Sequence, residues 1–287
     1  YMKFLKYFVE FIIIILLFTI FKILGFKLAS NIGGQIGKFF GPFFRSKKKL
    51  LSNIKKALPD LDEENIQLII KKMWTNYGRI LSEYMFIKDF RNSKLEKFFK
   101  IEGQEILDKL SNSKEQVIFV SGHFNNFELM AMQIEKSGID LAAIYRPLNN
   151  IFLNKIMEKI RKKHICKNQI KKGRSGTREL LEFFNKKYSI ALMIDQRVSE
   201  GIKSNFFGHL ASTTTIPAQI IKKFKCRVVP IYIERINDNH FKMTVNKPIS
   251  YSDEMTIEEI TENLNKLLEK MILVNPSQWI WTHNRWK

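Results

Sequence analysis

QVIFVS at residues 116–121, DLAAIY at 140–145, SIALMID at 189–195 and RVVPIYIE at 227–234 are apolar runs of strand length. They alternate with helical stretches at 126–137, 151–163, 176–187 and 216–225. Strand–helix alternation predicts an α/β domain with a largely parallel central sheet and flanking helices. HFKMTV (240–245) reads as a further strand and 256–274 as a closing helix. In open α/β sheets ligands bind beyond the carboxyl ends of the strands, so the polar residues after each run are the candidate site.

The first strand end reads Ser121-Gly122-His123-Phe124-Asn125-Asn126-Phe127-Glu128. On one continuous helix two positions five apart diverge by about 140°. Here a turn separates them, and it can fold the Glu128 carboxylate back onto the His123 imidazole. A carboxylate on one ring nitrogen fixes the tautomer and makes the other nitrogen a better general base. A purely structural histidine is the plainer alternative, and the spacing matches no metal motif. The second end places Arg146 before Pro147. Its planar fork suits phosphate or carboxylate, or a salt bridge capping the sheet.

Lys171-Lys172-Gly173-Arg174-Ser175-Gly176 then opens a helix, which makes it either an anion site or a solvated basic loop. Asp195-Gln196-Arg197 follows the third run. Asp195 reads as orienting a substrate hydroxyl, bracing Arg146, or capping a loop. Five of the 11 arginines lie between Arg146 and Arg197.

Upstream of the sheet, residues 62–88 form an amphipathic helix with Asp62 as N-cap and Ile66, Ile69, Ile70, Met73 and Tyr77 on one face. Residues 28–58 are small, basic and punctuated by Gly. Before them FLKYFVEFIIIILLFTIFKILGF (4–26) is apolar all round, with lysines on both sides and no A-x-A cleavage site. It reads as a membrane anchor rather than a signal peptide. Lys22, Lys27, Lys38, Arg45 and Lys47–Lys49 follow it, which favours a cytoplasmic location for the bulk of the chain. The expected organisation is an anchor at 1–27, a helical membrane-proximal region at 28–97 and a catalytic α/β domain at 98–287.

Composition sets outer limits. Of 287 residues, 45% are hydrophobic, which excludes intrinsic disorder. A mean hydropathy of −0.18 leaves no room for many membrane spans. The formal charge of +20 favours an anionic partner: nucleic acid, anionic lipid or an acidic protein. No helix-turn-helix, zinc-finger spacing or RNP-type strand speaks for nucleic acid. Cys166 and Cys226 form no CxxC pair and read as two buried thiols.

The order of the pieces carries more information than any one of them. HFNNFE (123–128), YRPLNN (145–150), GRSGTREL (173–180), DQR (195–197), NFFGHLASTTTIPA (205–218) and PSQWIWTHNRWK (276–287) together resemble the late acyltransferases of lipid A biosynthesis. That is the lauroyl/myristoyl transferase family of the lysophospholipid acyltransferase superfamily, and the resemblance spans essentially the whole chain. Asn125 and Phe127 stand where family members more often carry Gly and Trp, and Ile216 where several have Gly. The resemblance implies a glycerolipid acyltransferase-like fold held on the inner membrane, with the catalytic domain on its cytoplasmic face. It implies transfer of an acyl chain from acyl carrier protein to a hydroxyl of a phosphorylated glycolipid, with no metal or organic cofactor.

In that reading His123 is the general base and Glu128 orients it. Arg146, Arg174, Asp195, Gln196 and Arg197 form the substrate-binding set, with Arg146 on acceptor phosphate or the oxyanion. Two other readings remain: a transferase of the same superfamily acting on another glycolipid or lysophospholipid, and a membrane-tethered basic protein binding lipid or nucleic acid.

Overall fold

The computed structural model describes residues 2–287, apart from the side chain of Arg174. Helix α1 (Met2–Leu24) is long and apolar enough to cross a membrane, with mean hydropathy 2.5 over its most apolar window and most of that window uncovered by protein. One side of it nevertheless has partners. Phe4, Phe8 and Phe11 surround Phe152, with ring centroids 5.1, 5.6 and 5.7 Å away, and the Asn150 amide donates to the Tyr7 carbonyl at 2.8 Å. Asn150 also donates to Glu10 at 3.3 Å, which gives the one acid within the apolar segment a polar partner.

Helix α2 (Phe26–Phe40) crosses α4 (Glu63–Glu83) backbone to backbone, and α3 (Lys47–Ala57) lies between them in sequence. A Cβ added at Gly78 of α4 would sit 1.9 Å from the Gly33 carbonyl of α2, so only glycine permits this approach. Asp62 caps α4 as expected, accepting from the Asn65 amide at 2.7 Å. The periodic pattern read as one helix to residue 88 breaks into a 3-10 turn at Tyr84–Phe86 and a short α5 (Ile87–Arg91).

The remainder is α/β: β1 (Phe99–Glu102), α6 (Gln104–Ser113), β2 (Val117–Ser121), α7 (Glu128–Lys136), β3 (Leu141–Tyr145), α8 (Ile151–Ile160), β4 (Asn168–Lys171), α9 (Arg174–Asn185) and β5 (Ser189–Met193). A hairpin of β6 (Ile202–Phe206) and β7 (His209–Thr213) follows, then α10 (Ile216–Phe224), β8 (Arg227–Asn237), β9 (His240–Val245) and α11 (Ile257–Val274). Seven strands form one sheet in the order β1-β9-β8-β2-β5-β3-β4. All neighbouring pairs are parallel except β8–β9. The sheet is thus largely parallel with helices around it, as the four apolar runs predict.

Two details of register shape the site. Ser121 of β2 pairs with Met193 of β5, so the two chains leave the sheet side by side. Strands β3 and β5 pair only as far as Ala143 and Ala191, although β3 runs on to Tyr145 and β5 to Met193. The sheet therefore splits between them at its carboxyl edge. Cys166 and Cys226 are free, and burial pushes both thiols up to about 12, where they are inert at neutral pH.

Candidate active site

Because Ser121 and Met193 are partners, the residues two positions beyond each of them meet. Asp195 Oδ1 lies 2.7 Å from His123 Nδ1, and Asp195 Oδ2 accepts the His123 backbone N–H at 2.7 Å. Asp195 is fully buried. Burial alone would raise its pKa, but the neighbouring imidazole and the hydrogen bonds it accepts outweigh that and carry it down to about 2. The carboxylate is thus ionised at neutral pH and holds Nδ1, so Nε2 is the ring nitrogen it leaves free. The Gln196 amide lies 3.3 Å from Nε2.

This corrects the expected His123–Glu128 contact. Glu128 begins α7, and the ring of Phe127 stands edge-on to His123 at 4.8 Å. The Glu128 carboxylate instead takes Arg161 Nε at 2.8 Å and Nη2 at 2.5 Å. Arg161 opens a π-helical turn (Arg161–Ile165) at the end of α8 and lies over the ring of Tyr145. Burial works against its charge, but Glu128 more than compensates and keeps it firmly protonated. Its Nη1 is buried with no hydrogen-bond partner among the described residues. The Tyr84 hydroxyl, electrostatically coupled to the same Glu128–Arg161 pair, is likewise buried without a partner among the described residues.

The split between β3 and β5 opens into a cavity of about 420 Å³ that His123, Glu128 and Arg161 all line. Its walls are mostly apolar (Ile144, Ile165, Leu192, Met193, Ile216), and Ala143 and Ala191 stand where the strands close. A cavity of this volume with mostly apolar walls fits a hydrocarbon chain. Arg146 and Lys172 stand at the mouth, one exposed after β3 and the other after β4. Desolvation of its ammonium, and after it the charge of Arg146, lower the Lys172 pKa. Arg197 is exposed and does not line the cavity. Arg174 is the first residue of α9, and its side chain lies outside the described residues.

A family model described as bacterial lipid A biosynthesis acyltransferase matches residues 1–287. The chain belongs to that family. Among its relatives, a lipid A biosynthesis acyltransferase of Haemophilus influenzae is 22% identical over 82% of this chain and 75% of its own length. The lipid A biosynthesis lauroyltransferase of Escherichia coli is also 22% identical, over 92% of this chain and 87% of its own. The acyltransferase PlsC of Thermotoga maritima superposes at a TM-score of 0.40 and 11% identity, covering 89% of this chain and all of that one, a likeness too slight to decide anything.

For a lipid A acyltransferase the cavity makes chemical sense: an apolar slot, a histidine at its opening and cations at its rim. Sequence reading missed three residues of this site. Arg161 sits within RKKHI with no motif to distinguish it, and only its place among the five clustered arginines hinted at a role. Gln278, which accepts from the Asn125 amide, and Trp279, whose indole donates to Asp195, come from the far C-terminal motif, which no local rule connects to a strand end.

Proposed function

We propose that this acyltransferase moves a fatty acyl chain from the thioester of acyl carrier protein to a hydroxyl of a lipid A precursor at the inner membrane. The observation carrying this reading is the His123–Asp195 pair, held at 2.7 Å at the mouth of an apolar cleft in a member of this family. His123 Nε2 takes the proton of the acceptor hydroxyl, and the oxygen attacks the thioester carbonyl. The tetrahedral intermediate puts a negative charge on the former carbonyl oxygen, and the unpartnered Arg161 Nη1 supplies a cationic donor for it. Collapse breaks the C–S bond, and the departing sulfur takes the proton back from the imidazolium. Atoms balance without metal, redox partner or covalent acyl-enzyme, since a thioester is already activated. Glu128 holds Arg161 in place rather than orienting His123.

Arg146, Lys172 and the helix that Arg174 opens supply positive charge for the acceptor phosphate, while Gln196 borders the acceptor side. The acyl chain lies in the β3–β5 cleft. The net positive charge favours both the acidic carrier and the anionic headgroup. Helix α1 anchors the chain, with the basic residues after it on the cytoplasmic side.

The test is mass spectrometry of a reaction containing the purified protein, a saturated acyl-carrier thioester and a lipid A precursor. One acyl increment on the precursor is expected. An increment on lysophospholipid but not on the precursor would move the enzyme to another branch of the superfamily, and none on either would overturn the reading. In the same assay Ala191→Leu, which adds bulk to the cavity wall where β3 and β5 part, is expected to shift preference toward shorter chains. An unchanged length profile would place the acyl chain elsewhere.

A further inference from the structure

We propose that Trp279 is a positioning residue for the catalytic pair, and that the C-terminal motif Pro276-Ser277-Gln278-Trp279 is a strap gripping the two strand ends that carry it. The inference rests on the acyl-transfer reading of His123 above. Trp279 is almost wholly buried, and its indole Nε1 donates to Asp195 Oδ2 at 2.9 Å. Oδ2 therefore receives two donors, the indole and the His123 backbone N–H, while Oδ1 faces the imidazole alone. An aspartate held only by a histidine can rotate about its Cβ–Cγ bond. Two fixed donors on the far oxygen set the carboxylate plane and keep Oδ1 on the ring. They also draw charge toward Oδ2, which tempers the charge that the imidazole meets.

The preceding residue holds the other strand end. The Gln278 carbonyl accepts the Asn125 N–H at 3.0 Å, and its side-chain oxygen takes Asn125 Nδ2 at 2.7 Å and the Arg235 N–H at 2.8 Å. Asn125 lies two residues after His123 and has φ of +40°, in the left-handed region. The turn that aims the imidazole is thus pinned from the same strap that pins its carboxylate partner. The strap is itself fixed: Trp281 is fully buried, stands at 83° to Trp279 with centroids 4.7 Å apart, and donates to the Pro276 carbonyl at 2.7 Å. Asn53 of α3 donates to the carbonyls of Trp281 and His283 at 2.8 and 2.7 Å. Four residues distant in sequence from both catalytic groups therefore set their relative placement.

The test is Trp279→Phe in the full-length protein, which deletes the indole N–H and keeps an aromatic ring in the site. The expected result is a fall in kcat of about tenfold or more, by the usual worth of a hydrogen bond to a charged group. KM for both substrates stays within twofold. The acid limb of the kcat/KM profile moves to higher pH, because the carboxylate no longer shares its charge with the indole. A packing defect alone would lower the melting temperature without displacing that limb. Unchanged kcat together with an unmoved limb overturns the proposal.

Should the variant fail to fold, indole N–H resonances of the unmutated protein, which has four tryptophans, give the second measurement. One of them is expected to shift with the same midpoint as the acid limb, and the absence of any such resonance overturns the proposal. His123→Ala separates the two levels. If it transfers acyl chains undiminished, the catalytic reading itself fails; if it is inactive while Trp279→Phe behaves as wild type, only the role of Trp279 fails.

Discussion

His123→Ala is expected to reduce acyl transfer by about 10²–10⁴-fold, the usual contribution of a positioned general base, while the protein stays folded and membrane-associated. The structure explains why the loss should be confined to chemistry. The His123 side chain is partly exposed at the cavity mouth, so its removal leaves no closed void. Asp195, the group most at risk of being stranded, keeps the backbone N–H of residue 123 and the Trp279 indole as donors. Its ionised form therefore remains solvated by protein after the imidazole is gone. The measurement is the rate of acyl increment on the lipid acceptor, alongside a thermal melt and a membrane-pelleting assay. Transfer at the wild-type rate with an intact fold would sink the proposed base.

The largest expected effect on stability is at Arg235, away from the reacting atoms. Glu83 at the end of α4 is completely buried, and Arg235 of β8 pairs with it through two parallel hydrogen bonds of 2.7 and 3.0 Å. Ser30 of α2 donates to the same carboxylate at 2.6 Å and Asn126 at 3.1 Å. Arg235→Met leaves a charged carboxylate in the interior with only neutral donors. The expected cost is about 3–5 kcal/mol, read from denaturant unfolding. Neutralising the stranded group in Glu83→Gln/Arg235→Met should recover part of that loss, since the penalty comes from the uncompensated charge rather than from the missing attraction. A single variant within about 1 kcal/mol of wild type would show that the buried carboxylate does not depend on Arg235. The network also ties the helical region to the His123 loop, because Arg235 donates to Asn125 Oδ1 at 3.2 Å.

Much of this architecture is legible along the chain because it is local. The apolar runs at 117–121, 141–145, 189–193 and 227–237 are strands, and Asp62 is a cap, since each depends only on near neighbours. Strands β4 (NQIK) and β1 (FKIE) carry no legible signal, because each is a four-residue edge strand without a hydrophobic run. His123 is visible as a polar residue at a strand end. Its partner is not, because that depends on which strands are neighbours. Glu128 is close in sequence and Asp195 is 72 positions away, yet the β2–β5 pairing brings Asp195 to the ring and the helix start turns Glu128 to Arg161. Trp279 and Gln278 are further still from anything they hold. Sheet order is a property of the whole chain, and no window of residues contains it.

The positive φ at Asn125 has a further consequence, for the chain before it folds. Glycine at that position would reach the left-handed turn freely but would also give the unfolded loop many more conformations to lose. Asparagine tolerates the same turn with a more restricted ensemble, and its amide supplies contacts to Gln278 and Arg235 that glycine cannot make. Part of the ordering that a flexible loop would leave to substrate binding is thus completed during folding, and the imidazole meets its acceptor from a position that needs little rearrangement.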